Sequence, residues 1–210
     1  MDTEDFIAKY PTLLHLAHAE SWPSIQQHGL LSTEQLLRRW HVDADRAEAH
    51  LSQKRPEPVH LSHPEHGLAV LRDQHPLTET QLAPALTDGM TVADWLRLLN
   101  SHVFFFPNET GLRTLYSAYR PEPAVVIKVR TRSLVRVHEA RVRLAGINTG
   151  NTSRRPAPRG ADTFLPIRRY DHRKRAVQEV AVLDEVSDLH GHLISAQTWN
   201  PDGTIEHLLG

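Results

Sequence analysis

The sequence contains no cysteine, and that absence closes several chemistries together. Disulfides, iron-sulfur clusters, thiolate zinc sites and a cysteine nucleophile are excluded, so covalent catalysis would have to use another side chain. Long apolar runs are also missing: no stretch approaches the roughly 20 residues needed to cross a bilayer. The opening MDTEDFIAKY is acidic where a secretion signal is basic and then apolar. A cytoplasmic protein without membrane contact is therefore expected. The net charge of -1 argues against a uniformly basic nucleic-acid binder. Several signatures are absent: a phosphate loop with its lysine, GxGxxG after a strand, a GxSxG elbow and HExxH. Internal repeats and low-complexity tracts are absent as well.

What is present begins with size. At 210 residues and 40 % hydrophobic content, the chain can bury one sizeable core, and a single domain over 1–210 is expected. Charge is unevenly spread. From Arg154 to Arg175, eight basic residues face only Asp162 and Asp171. Such a run is either a solvated loop flank or a phosphate-collecting surface, and Arg154, Arg155, Arg159, Arg173 and Arg175 are its candidate nucleic-acid contacts.

Periodicity places the elements. After a short acidic helix, TLLHLA reads as a core strand ending near His15. A helix follows, with Ser21 as its cap, Pro23 in its first turn and Gly29 as a left-handed stop. Ser32 with Gln35 forms a capping box for a helix carrying Leu36, Leu37 and Trp40, and a charged helix then runs to Pro56. Short strands are read at PVHLS and LAVLRDQ, a helix capped by Thr91 and Asp94 at TVADWLRLLN, an aromatic strand at HVFFFP and a helix at ETGLRTLYSAYR. PAVVIKVRTRSL, RVRLAGI and AVQEVAVLDEV read as strands. Between the last two lies NTGNTSRRPAPRGADT, a long polar loop of the kind that is either functional or disordered.

Candidate site residues stand against this background. Glu179 interrupts an apolar strand, so it either faces solvent or sits in a cleft at a cost that function repays. By alternation it shares a face with Val177 and Ala181. His60, His63 and His66 are spaced three apart, but Pro64 breaks any helix there. His15 and His18 are similarly spaced, and no metal site is assigned to either set.

The order of these features resembles the ADP-ribosyltransferases, in particular the DarT-like DNA-modifying branch and the related bacterial proteins grouped as DUF7002. LLHLAHAESWPSIQQHGLL is similar to the DarT-type opening, HVFFFPNETGLRTLY to its aromatic strand, and HRKRAVQEVAVLDEV to its basic lead into a glutamate strand. For DUF7002 the likeness also takes in YPTLLHLAHAESWPSI, HPEHGLAVLRDQ, LLNSHVFFF and INTGNTSRRPAPRGADTFLP, nearly the whole chain.

The resemblance implies an α+β fold, an ADP-ribosyltransferase-like split β-sheet core with helices packed N-terminally. It implies NAD as substrate, cleaved between nicotinamide and ribose, with Glu179 stabilising the positive charge that grows on the sugar. His15 would hold the adenosine-side ribose, and the backbone of Leu16 would receive the nicotinamide amide. Tyr116 or Tyr119 would wall the nicotinamide ring, and Arg113 or Arg72 would pair with the pyrophosphate. The chain departs from the DarT-like pattern in having Ala17 where threonine is usual, and in lacking the arginine just after the aromatic strand. A nucleic-acid base, in DNA or RNA, is the expected acceptor, and an antitoxin partner would accompany a toxin role. Two alternatives stay open: an RNA 2'-phosphotransferase-like NAD enzyme, and a catalytically silent module that binds a nucleotide or nucleic acid. The enzyme readings require the first core strand and the glutamate strand to lie side by side and aim both side chains into one groove.

Overall fold

Apolar alternation along the chain is satisfied by two antiparallel sheets that share one core. The computed structural model describes residues 1–118, 122–152 and 156–209. In chain order the strands are β1 Thr12–His18, β2 Leu30–Leu31, β3 Val59–His63, β4 Gly67–Leu71, β5 His102–Phe105, β6 Ala124–Arg130, β7 Val142–Ala145, β8 Glu179–Leu183, β9 Glu185–Val186, β10 Leu193–Trp199 and β11 Ile205–Leu209. The helices are α1 Thr3–Lys9, α2 Trp22–His28, α3 Thr33–Arg39, α4 Ala44–Ser52, α5 Glu79–Leu82, α6 Val92–Asn100, α7 Glu109–Ala118 and α8 Thr131–His138. One sheet has the order β1-β6-β10-β11 and the other β5-β8-β7, while β2 pairs with β9 and β3 with β4. The fold is mixed α+β. Among the described residues no helix is long and apolar enough to cross a membrane.

Burial on both faces explains why β6 is apolar at nearly every position. Val125, Ile127 and Val129 join Leu13 of β1, Phe105 of β5 and Val180 and Val182 of β8 in the main core. Ala124 and Val126 face the other way, with Leu16, Phe106, Leu112 of α7 and Trp199. The outer side of the second sheet is covered by α6. Its capping box between Thr91 and Asp94 is complete, and its Trp95 and Leu96 pack on Ala145 and Ala181.

Four local readings change. The expected strand through Leu134 stops at Arg130, because Thr131, Leu134, Val135 and His138 are buried at helical spacing in α8. Ser21 does not cap α2; its hydroxyl accepts from the Val70 N–H at 2.9 Å and so ties the helix start to β4. The Ser32 hydroxyl does cap α3, but Gln35 reaches Asp184 at 3.4 Å rather than back to the cap. The expected strand AVQEVAVLDEV is two strands, parted at Asp184 with φ +66°. Gly29 does stop α2, at φ +74°, and a Cβ there would lie 2.3 Å from the Val186 carbonyl oxygen of β9. Only glycine allows both the backbone angle and that approach.

Candidate active site

The two sheets meet at one point and then part. Leu14 of β1 and Phe106, just after β5, exchange backbone hydrogen bonds of 2.9 and 2.7 Å. In a continuous antiparallel ladder the next bond would join the Leu16 N–H to the Phe104 carbonyl. Instead the His15 ring takes that carbonyl through Nδ1 at 2.7 Å, with its ring 5.7 Å from that of Phe105. The imidazole thus replaces the backbone at the split, and a cleft of about 260 Å³ opens there, lined by His15, Leu16, Phe104 and Glu179 among others. Burial pulls the His15 pKa down to about 4, outweighing the carbonyl bond that acts the other way. The ring is therefore neutral at ordinary pH. Since the carbonyl only accepts, Nδ1 carries the proton and Nε2 is left as an acceptor. Ladder alternation turns the backbone N–H and C=O of Leu16 toward the same opening.

Glu179 begins β8 rather than interrupting it, and it is 4 % exposed. Its Oε2 accepts from the Thr149 hydroxyl at 2.6 Å and from the Thr149 N–H at 3.1 Å. No described residue bonds Oε1. Burial pushes the carboxyl up to about 7, against the two Thr149 bonds and the nearby Arg159 charge, which pull it down. Arg159 is 2 % exposed; it donates to the Thr149 carbonyl at 2.9 Å and to the Ala157 carbonyl at 3.1 Å, with its guanidinium 5.7 Å from the Trp95 ring centre. The polar loop is thus folded onto the acid, with Asn148, Thr149 and Asn151 on the cleft wall.

The structure brings together some of the expected residues and disperses others. His15 and Glu179 line one cleft, but β5 stands between their strands, so these do not lie side by side. Arg72 lines the cleft and pairs with Glu122 at 3.1 Å. Arg113 does not: it pairs with Glu109 and lies over the Trp199 ring, on the outward side of α7. Tyr116 is likewise no wall of the cleft, because its hydroxyl bonds the Trp199 carbonyl at 3.2 Å and its ring meets Trp199 edge-on. Aromatic surface in the cleft comes from Trp40, Phe104 and Phe106 instead. Arg159 is a buried strut for the Thr149 loop, which removes it from the nucleic-acid surface, while Arg173 and Arg175 are exposed just ahead of β8. Tyr119, Arg154 and Arg155 lie outside the described residues. Sequence reasoning missed Thr149 and Arg55; the latter is buried and braces the cleft rim through the Arg72 carbonyl at 3.2 Å and Asn100 at 3.0 Å. For Thr149 the one signal was a long polar loop within a compact chain. For Arg55 there was none.

Among the described residues three histidine-containing groups place ring nitrogens, in two of them with carboxylate oxygens, close enough to share a cation: His18 with Glu20 and His60, His138 with Asp188 and His192, and His41 with His63 and His66. His60, His63 and His66 therefore separate into two groups, and His15 joins none.

A family model described as a family of unknown function, DUF7002, matches residues 11–193. The chain belongs to DUF7002. No curated protein and no solved structure matches it. The DUF7002 match runs from β1 to the first residue of β10 and so contains the sheet junction, the Thr149 loop and both side chains at the cleft.

Proposed function

We propose that the chain is an NAD-dependent ADP-ribosyltransferase, breaking the nicotinamide–ribose bond and transferring ADP-ribose to a nucleic-acid base. The observation that carries this reading is the convergence of His15 and Glu179 in one cleft, opened where the two sheets part. A carboxylate is the group to stabilise positive charge developing on a sugar, and a low-dielectric site strengthens that interaction. Thr149 fixes one oxygen of Glu179 and leaves the other to hold a ribose hydroxyl. The neutral His15 offers Nε2 to the second ribose, and the Leu16 backbone supplies the donor and acceptor that a carboxamide needs. Arg72, already on the cleft wall, is the cation for the pyrophosphate, and Phe104 or Phe106 replaces the expected tyrosine beside the nicotinamide ring.

The acceptor is favoured by the exposed Arg173, Lys174 and Arg175, which immediately precede the glutamate strand and suit a phosphate backbone. The test is incubation with NAD and separate pools of DNA, RNA and protein, followed by mass detection of added ADP-ribose and of free nicotinamide. Modification of DNA or RNA that vanishes in Glu179→Ala is the expected result. Nicotinamide release undiminished in that variant would overturn the reading.

A further inference from the structure

The helix α3 ends against the β3–β4 turn, where Trp40 Nε1 donates to the Gly67 carbonyl at 3.1 Å. The next residue, His41, takes φ +52°, a left-handed angle that residues other than glycine adopt at a cost. That bend sets the His41 ring 5.4 Å from His63, and His63 stacks on His66 with centres 4.5 Å apart and planes 18° from parallel. One ring nitrogen from each of the three lies within 4.8 Å of the others. Nδ1 of His66 is buried without a hydrogen-bond partner among the described residues, an arrangement that costs free energy unless a ligand engages the ring.

Independently of the reading of the cleft, we propose that His41, His63 and His66 bind one divalent transition-metal ion, such as zinc, leaving a fourth position to water. Zinc–nitrogen bonds of about 2.0–2.1 Å place tetrahedral ligand atoms about 3.4 Å apart, so binding needs the nitrogens to close by on the order of 1 Å and His63 or His66 to turn out of the stack, bringing both in-plane lone pairs onto the ion. All three rings must be neutral to ligate. Burial, His63, Arg39 and His41 hold the His66 pKa down, while Glu65 opposes them. His63 Nδ1 accepts from the Glu65 N–H at 3.2 Å, which leaves Nε2 for the metal. On binding there, the Nε2 proton moves to Nδ1 and the exposed Glu65 N–H passes to water.

The other two groups differ in a way that matters. His138 and His192 already spend their Nε2 atoms on Asp188 at 2.7 and 3.1 Å, and His60 spends its own on Glu20 at 3.0 Å. Among the described residues no carboxylate oxygen joins His41, His63 and His66 in their group, and Glu65 reaches His66 only through its charge. An ion here would tie α3 to the β3–β4 hairpin beside His28, which lines the cleft and whose ring lies 5.1 Å from that of His66.

The test titrates zinc ion alone into the metal-free full chain, carrying no histidine tag, by calorimetry, with cobalt substitution to read tetrahedral coordination from its visible spectrum. One ion per chain is expected, with affinity weakened roughly tenfold or more in His63→Gln and His41→Asn, and unchanged in His60→Gln. Asparagine tolerates the left-handed angle at position 41, and circular dichroism before titration establishes that each variant is folded. Absence of stoichiometric binding, equal affinity in His63→Gln and His41→Asn, or a loss of the same size in His60→Gln would each overturn the proposal.

Discussion

The two walls of the cleft hold titratable groups under the same desolvation, yet they solve the problem differently. On the β1 wall, His15 becomes neutral and spends one nitrogen on a backbone carbonyl. On the β8 wall, Glu179 keeps two donors on one oxygen and a buried guanidinium nearby, and still its pKa rises to about 7. The imidazole is comfortable where it is. The carboxylate is held in a costly state by burial, which the two Thr149 bonds and the Arg159 charge offset only in part. On the proposed reading, that asymmetry makes Glu179 the reactive side of the cleft and His15 the positioning side, and four experiments bear on it.

The largest effect is expected from Glu179→Gln, which keeps the shape and removes the charge. Loss of a group that stabilises transition-state charge costs about 10²–10³ in kcat, read as nicotinamide release from NAD. Stability should move the other way. The unfolded carboxyl titrates near 4.5 and the folded one near 7. The folded state thus retains a proton that the unfolded chain has released between those values, and stability falls as pH rises through that window. Substitution by the amide removes this slope, so the variant should gain progressively from pH 4.5 to 7, by up to about 3 kcal/mol. Denaturant titrations at pH 5 and pH 8 check this. Parallel curves for the two proteins would remove the asymmetry.

Arg159→Ala comes next. It leaves the Thr149 and Ala157 carbonyls without their donor and removes the cation nearest the acid. A loss of about 3 kcal/mol in denaturant stability is expected. In material that remains folded, the pH at which activity rises should shift upward, since a positive charge that pulled the Glu179 pKa down is gone. Arg159→Lys restores charge without the paired donors, and separates the two contributions.

His15→Ala tests the opposite wall with a smaller expectation. A neutral hydrogen bond to a ligand contributes about 0.5–1.5 kcal/mol, so KM for NAD should rise by up to about tenfold while kcat changes less. A loss in kcat as large as that of Glu179→Gln would show that the imidazole takes part in bond breaking and is not confined to positioning.

The sequence made one wall easier to read than the other. A histidine in an apolar strand before a glycine-stopped helix is a local pattern; β1 runs on to His18 and does not end at His15 as expected, but the Gly29 stop lies where it was expected because only glycine fits beneath Val186. Glu179 was visible as an acid among valines, but alternation alone did not establish its setting, since β8 is buried on both faces. The loop residues were not legible. Thr149 and Arg159 look like solvated polar chain, and their burial follows from a fold-back that closes across 30 residues to Glu179. Arg113 and Tyr116 had suitable chemistry and were assigned by resemblance, and lost those roles because Trp199, from the far end of the chain, claims both. Strand against helix at Thr131–His138 failed for another reason: that stretch fits both periods, and only the packed core chooses.

The smallest expected effect concerns the flank of the acid wall. Arg173 and Arg175 are exposed, whereas Arg159, from the same basic stretch, is buried, so one composition has two physical fates. If the exposed pair meets a phosphate backbone, Arg173→Ala with Arg175→Ala should weaken nucleic-acid binding and flatten its dependence on log salt by about 2, one for each lost contact. Cleavage of NAD without an acceptor should be unchanged, because neither residue lines the cleft. Stability should change little, as for exposed side chains generally. A double variant whose binding keeps the wild-type salt slope would leave the acceptor to be held by other residues, while the assignment of the two cleft walls would stand.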